Sequence, residues 1–223
     1  MEYRTIGKTG VQVSPLCFGT MPFGGIADEN MSRKMFREAL ERGINFFDSA
    51  DVYNEGRSEE LLGKFMQENK CRDEMVITSK VFGKTAEDIN AKGLSRRHIK
   101  IAVEESLQRL KTDRIDFYFV HSFDSKTEML QTLRTMDDLV KEGKILYPAV
   151  SNWAAWQIEK ALGISQQESL ARFEMIQPMY NLAKRQAEVE ILPMAEAENL
   201  GVISYSPLGG GLLTGKYGKD KRP

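Results

Sequence analysis

Residues 16–25 read LCFGTMPFGG. An apolar run that ends in glycine reads as a strand followed by a turn, and that turn separates two folds. A doubly wound sheet built to bind a dinucleotide carries G-x-G-x-x-G directly after its first strand. Here the glycines are Gly19, Gly24 and Gly25, which lack that spacing. The reading therefore favours the other parallel architecture, a closed (β/α)8 TIM barrel.

The rest of the chain is consistent with a parallel sheet. Strand candidates recur at 16–19, 44–48, 75–79, 115–121, 145–150, 173–177 and 201–205, alternating with segments of helical period. Met35, Phe36, Ala39 and Leu40 make one apolar helix face. Ile99, Ala102, Val103, Leu107 and Leu110 make a second; Leu130, Leu133, Met136, Leu139 and Val140 make a third. Gly43, Gly143 and Gly201 stand where left-handed C-cap residues belong, and Ser95 where a helix N-cap belongs. YRTI and VQVS flank GKTG at the N-terminus and predict a β-hairpin ahead of the repeat. Seven β-then-α units with strands apolar on both faces imply a parallel sheet covered by helices. Only seven strands are counted in 223 residues, whereas a (β/α)8 domain needs about 250. The expectation is one barrel domain over 1–223, incomplete at its C-terminus and without its eighth strand.

Composition narrows the function classes. With 41 % hydrophobic and 28 % charged residues and a net charge of −1, the chain reads as an ordinary globular protein. That balance gives no reason to expect nucleic acid or a membrane as partner. The basic run SRRHIK (95–100) reads as a solvated helix start. Cys17 and Cys71 are unclustered and cannot make a zinc site, so no metal is expected. The N-terminus lacks the pattern of a secretory signal, and a cytoplasmic location is the expectation. Nothing in the sequence sets an oligomeric state.

In such barrels, chemistry gathers at the C-terminal ends of the strands, where the βα loops converge. The polar residues at those ends are Asp48 with Tyr53, Lys80, His121, Ser151 with Asn152, Gln177, and Tyr205 with Ser206. Each has a structural alternative: Asp48 as a turn cap, Lys80 as a surface lysine, His121 as a bonded core histidine. Together they make chemical sense. A tyrosine is a weak acid unless a cation lowers its pKa, and Lys80 would supply that cation with Asp48 keeping it charged. His121 would donate to a carbonyl oxygen, and Tyr53 would protonate the alkoxide as hydride reaches carbon. Asp51 finds no such partner and reads as a turn residue; His98 is given no role.

The last stretch, YSPLGGGLLTGKYG (205–218), is glycine-rich backbone after strand seven, where barrels hold phosphate. Gly210, Gly215 and Lys216 mimic a nucleotide-triphosphate loop, but Tyr217 stands where Ser or Thr would bind Mg²⁺. A flexible structural loop is the second alternative to a pyrophosphate clamp.

The linked motifs FFDSADVYNEGRSEELLG (46–63), ITSKV (77–81), SLQRLKTDRIDFYFVHSFD (106–124), GKILYPAVSNW (143–153), QPMYN (177–181) and YSPLGGGLLTGKY (205–217) resemble those of aldo-keto reductases. The resemblance covers the whole chain. It implies a barrel closed at the bottom by an N-terminal hairpin, a small-molecule carbonyl substrate and a nicotinamide cofactor. NADPH is the expected cofactor and NADH the second choice, because the segment that reads the adenosine 2′-phosphate is missing from these residues. It further implies that Tyr53 is the general acid, with Lys80 and Asp48 as its activating pair and His121 orienting the carbonyl. Ser151, Asn152 and Gln177 would hold the nicotinamide amide and Tyr205 would stack on the ring. Ser206, Pro207, Leu208, Gly209, Leu213 and Lys216 would belong to the pyrophosphate belt. Thr20 and Met21 are assigned to the cofactor, and Met21 shares the expected substrate-pocket wall with Phe23 and Phe82. Asn54 departs from the glycine common after the tyrosine, and Pro148 and Ala149 from the usual strand ending. Taken as a whole polypeptide, this would be an open barrel with weak cofactor binding. The alternatives are a cofactor-binding regulatory module with little catalysis, and a lyase using Lys80 as a Schiff base.

Overall fold

The computed structural model describes residues 1–218, 220 and 221. A short hairpin, β1 (Arg4–Thr5) and β2 (Gln12–Val13), precedes the repeat. Seven parallel strands then follow in chain order: β3 (Phe18–Gly19), β4 (Phe46–Asp48), β5 (Val76–Val81), β6 (Ile115–Val120), β7 (Ile145–Ser151), β8 (Met175–Gln177) and β9 (Gly201–Val202). Between them lie α1 (Glu29–Glu41), α2 (Arg57–Asn69), α3 (Arg96–Leu110), α4 (Met129–Lys141), α5 (Ala155–Gln167) and α6 (Ile191–Ala197). The sheet is a partial (β/α)8 barrel, and β3 and β9 are not paired with each other among the described residues. None of the described helices is long and apolar enough to cross a membrane.

The two faces of the sheet are read directly from the alternation along each strand. Phe46, Val76, Phe117, Phe119, Ala149 and Met175 form the inner cluster, and Ile6 and Val13 of the hairpin join them to plug the bottom. Phe47, Ile77, Tyr118, Val150 and Ile176 point the other way and pack with the helices. β5 and β6 are buried along their whole length, as strands covered on both sides must be.

The N-cap expected at Ser95 is present, and Asp28 adds one that was not expected. Ser95 accepts from the His98 amide at the start of α3, and Asp28 accepts from the Met31 amide at the start of α1. Gly43 and Gly143 take φ of 80° and 71°. Gly201 does not: it is a strand residue, and Asn199 takes the left-handed turn at φ 56°. Glycine is needed at 201 because a Cβ there would run into Ile6 of the hairpin. Pro148 does not end β7; its carbonyl accepts from the Glu174 amide at 3.0 Å.

Candidate active site

The inner face of the strand ends holds a tightly bonded set. Asp48 ends β4, and Thr78 and Lys80 stand two residues apart on β5, so all three point into the barrel. Lys80 Nζ donates to Asp48 Oδ2 at 2.7 Å, to the Ser49 carbonyl at 2.6 Å and to Tyr53 Oη at 3.2 Å. Asp48 Oδ1 accepts from Thr78 Oγ1 at 2.6 Å and from Gln177 Nε2 at 3.1 Å. The lysine is fully buried, yet Asp48 and Tyr53 hold its pKa above the ordinary value against the opposing effect of burial. A charged, immobilised ammonium thus sits against the tyrosine hydroxyl.

The consequence for Tyr53 differs from the sequence expectation. Burial lifts its pKa more than Lys80 lowers it, and Asp48 adds to the rise. The net shift is upward, so the hydroxyl keeps its proton at neutral pH and Lys80 limits the rise. His121 lies beside it, with the two rings edge-on at 6.2 Å between centroids. Burial and the Lys80 charge lower the imidazole pKa to about 4, so His121 is neutral at neutral pH.

Tyr53 and His121 face a cavity of about 610 Å³ that also includes Met21, Asp48, Ser151, Asn152, Gln177, Tyr205, Ser206 and Pro207 in its lining. Tyr205 Oη donates to Asn152 Oδ1 at 2.9 Å, and Asn152 Nδ2 donates to the His121 carbonyl at 2.9 Å. Ser151 Oγ donates to the Gln177 carbonyl at 2.8 Å. Asn152 and Ser206 hold left-handed φ of 57° and 54°, conformations that cost energy in non-glycine residues and cluster at functional sites. Asn181 Nδ2 fixes the Ser206 loop by donating to its carbonyl at 2.9 Å.

Several predicted residues lie elsewhere. Thr20 is fully buried, donates to the Asp48 carbonyl at 3.0 Å and lies 2.8 Å from Ser58 Oγ; it braces β4 instead of reaching the cavity. Phe23 is also fully buried, in an aromatic cluster with Phe18 and Phe65 at 5.9 and 6.0 Å. Burying a ring of that size is worth about 1.5–3 kcal/mol, which suffices to turn it inward. Phe82 lines a different cavity, with Phe123, Lys84 and Lys126. Leu208, Gly209, Leu213 and Lys216 continue the chain beyond the cavity wall without lining it. Gly209, Gly210, Gly211 and Gly215 all take left-handed φ, and the segment from Gly209 to Thr214 is a kinked 3-10 turn.

Sequence reasoning missed the residues that orient others. Thr78 could have been found by the period of two that puts it on the face of Lys80. Asn54 has a clear purpose: φ 49° suits asparagine, and its Nδ2 donates to the Met21 and Phe23 carbonyls, both at 2.8 Å. It ties the tyrosine loop to the loop after β3.

Behind this set, between sheet and helices, lies a second polar group. Ser79 on the outer face of β5 donates to Glu59 Oε1, and Arg109 Nε of α3 donates to Glu59 Oε2 at 2.7 Å. Asp51 is 2 % exposed, and among the described residues neither of its carboxylate oxygens has a hydrogen-bond partner. It lies in the turn after β4, as expected, and is in addition a buried acid.

The profile of the Aldo/keto reductase family matches residues 15–223. The chain is 38 % identical over 225 residues to the uncharacterized oxidoreductase YrpG of Bacillus subtilis (strain 168), covering 97 % of this chain and 69 % of that one. It is 37 % identical over 226 residues to a probable voltage-gated potassium channel subunit beta of Arabidopsis thaliana, covering 100 % and 69 %. It is 36 % identical over 217 residues to norsolorinic acid reductase of Aspergillus flavus, covering 92 % and 56 %. Family and relatives together support oxidoreduction. The chain belongs to the aldo/keto reductase family.

Proposed function

We propose that this chain is a single barrel domain that reduces aldehydes or ketones to alcohols with a reduced nicotinamide cofactor, NADPH before NADH. The observation that carries the reading is the Lys80 ammonium, held by Asp48 and Ser49 at 3.2 Å from Tyr53 Oη at the edge of the cavity.

The residues present suit such a cofactor. Ser151, Asn152 and Gln177 offer amide and hydroxyl groups along one wall, and the half-buried Tyr205 ring offers a flat apolar face beside them. Beyond it, Ser206 and the glycines at 209, 210 and 211 turn the backbone in left-handed conformations that suit a phosphate cradle. When bound, the reduced nicotinamide would supply the hydride. The chain's own residues do the rest. Neutral His121 presents an N–H to the carbonyl oxygen and orients it. As the carbonyl carbon gains hydride, its oxygen takes the electron pair of the broken π bond and then the proton of Tyr53 Oη. The charge left on Tyr53 faces Lys80, and solvent returns the proton through the cavity. A tyrosine with a raised pKa is in the right form to donate at neutral pH, and Lys80 acts mainly on the charge that develops.

The experiment follows loss of reduced-nicotinamide absorbance with a panel of aldehydes and ketones. Tyr53→Phe should keep cofactor binding and lose about 10²–10⁴-fold in turnover. Undiminished turnover in that variant would refute the mechanism. The potassium-channel relatives motivate a second reading, a cofactor-binding regulatory module, for which tight binding without turnover on any carbonyl is the expected result. A Schiff-base role for Lys80 is disfavoured, because its raised pKa keeps the amine protonated.

A further inference from the structure

Asp51 is two residues from Tyr53, and its backbone amide donates to the carbonyl of Lys80 at 3.3 Å. Its side chain points away from the cavity into the layer between sheet and helices. The groups facing it come from every neighbouring element: Glu59 of α2, Arg109 of α3 (which also pairs with Glu105 at 3.8 Å), Lys80 of β5, Tyr118 of β6, and Tyr53 on its own loop.

The charges around it do not balance. Arg109 is the cation of this layer, and Glu59, which is fully buried, already takes its Nε and the Ser79 hydroxyl. The second carboxyl, Asp51, is left without a hydrogen-bond partner among the described residues, and the hydroxyl of fully buried Tyr118 is likewise unpartnered. The Val52 amide is close enough to oppose protonation but completes no hydrogen bond. An ionised carboxylate in such a place is expensive, and the group takes up a proton instead. Burial, followed by the Glu59 charge, accordingly raises Asp51 to about 8.

We infer that Asp51 is a positioning residue for Tyr53: it serves as a neutral carboxylic acid behind Lys80, and its neutrality keeps a second negative charge away from the tyrosinate that forms at Tyr53 Oη. The inference rests on the proposed reductase reading. Asp51 ionised would raise the Tyr53 pKa and weaken it as an acid. Its proton is therefore retained in the working range, and its loss at higher pH slows proton donation.

Two measurements test this on the whole chain. The infrared difference spectrum of wild type minus Asp51→Asn at pH 6 should show the carbonyl stretch of a protonated carboxylic acid, fading as pH passes about 8. The pH profile of carbonyl reduction should fall by about two- to tenfold through the same range in wild type, and that falling arm should be missing in Asp51→Asn. Absence of the acid band at pH 6 overturns the proposal, as does a falling arm unmoved by the substitution, which would mean a structural role only. Should the asparagine variant not fold, Asp51→Ser removes the same ionisation. If the protein reduces no carbonyl at all, the reductase reading fails separately. The tyrosinate midpoint of Tyr53, taken from ultraviolet absorbance against Tyr53→Phe, must then still move to lower pH in Asp51→Asn.

Discussion

Two polar clusters sit back to back across β5, one facing the cavity and one facing the helices. Lys80 belongs to the first and Ser79 to the second, so one strand feeds both by its alternation. In the inner cluster a single cation serves a single carboxylate, and Asp48 accepts from Lys80, Thr78 and Gln177. In the outer one, Arg109 faces two buried carboxyls and its Nε hydrogen-bonds only Glu59. The inner cluster is charge-balanced and holds an ion pair beside the cavity. The outer one is short of a cation and stores a proton. The difference teaches that burial alone does not fix ionisation; the number of cations within reach does.

Removing each cation separates the two. Lys80→Met should cost about 3–5 kcal/mol of stability by stranding Asp48, and should also abolish most of the proposed turnover, by about 10²–10⁴-fold. Denaturant titration and a reductase assay read the two effects. Arg109→Leu should cost a comparable 3–5 kcal/mol, because Glu59 is left buried and unpaired, but the folded fraction should keep its turnover. Equal loss of activity in both variants would mean that the clusters are not chemically distinct.

A smaller effect lies in the pH dependence of stability. Asp51 titrates near 8 folded and near the ordinary value of about 3.9 unfolded, so between those values the native state holds the extra proton. Wild type therefore loses stability relative to Asp51→Asn as pH rises from about 4 to about 8, and the gap levels off above that. The expected size is on the order of a few kcal/mol, read from thermal unfolding of both proteins across that range. A gap that stays constant with pH would show that Asp51 ionises normally. The smallest effect belongs to Tyr118→Phe. Its hydroxyl is buried and unpartnered among the described residues, so its removal should leave stability within about 1 kcal/mol of wild type or raise it. A larger loss would reveal a hydrogen bond to the outer cluster.

Much of the inner cluster was legible in the sequence. Seven parallel strands were expected after the hairpin and seven are present among the described residues, and the barrel brings the polar residues at the ends of β4 to β9 to one mouth. The reading went astray wherever a side chain's direction mattered. Thr20 and Phe23 follow β3 as cavity residues would, but a hydroxyl that can brace β4 and a ring that can fill an aromatic cluster both turn inward. Phe82 follows Lys80 by two residues, yet beyond the end of β5 alternation no longer fixes direction, and it faces another cavity.

What the sequence determined by itself was the order of the elements and the identity of the candidate site groups, because both depend on short-range patterns: apolar periodicity, caps, and a polar residue at the ends of β4 to β9. What only the tertiary structure decided was the protonation of those groups. Tyr53 is raised by burial more than Lys80 lowers it, and Asp51 keeps a proton because α2 and α3 bring one arginine to two carboxyls across 50 residues of chain between Glu59 and Arg109. Electrostatic balance in a dry interior is a sum over everything nearby, and what is nearby is settled only by packing.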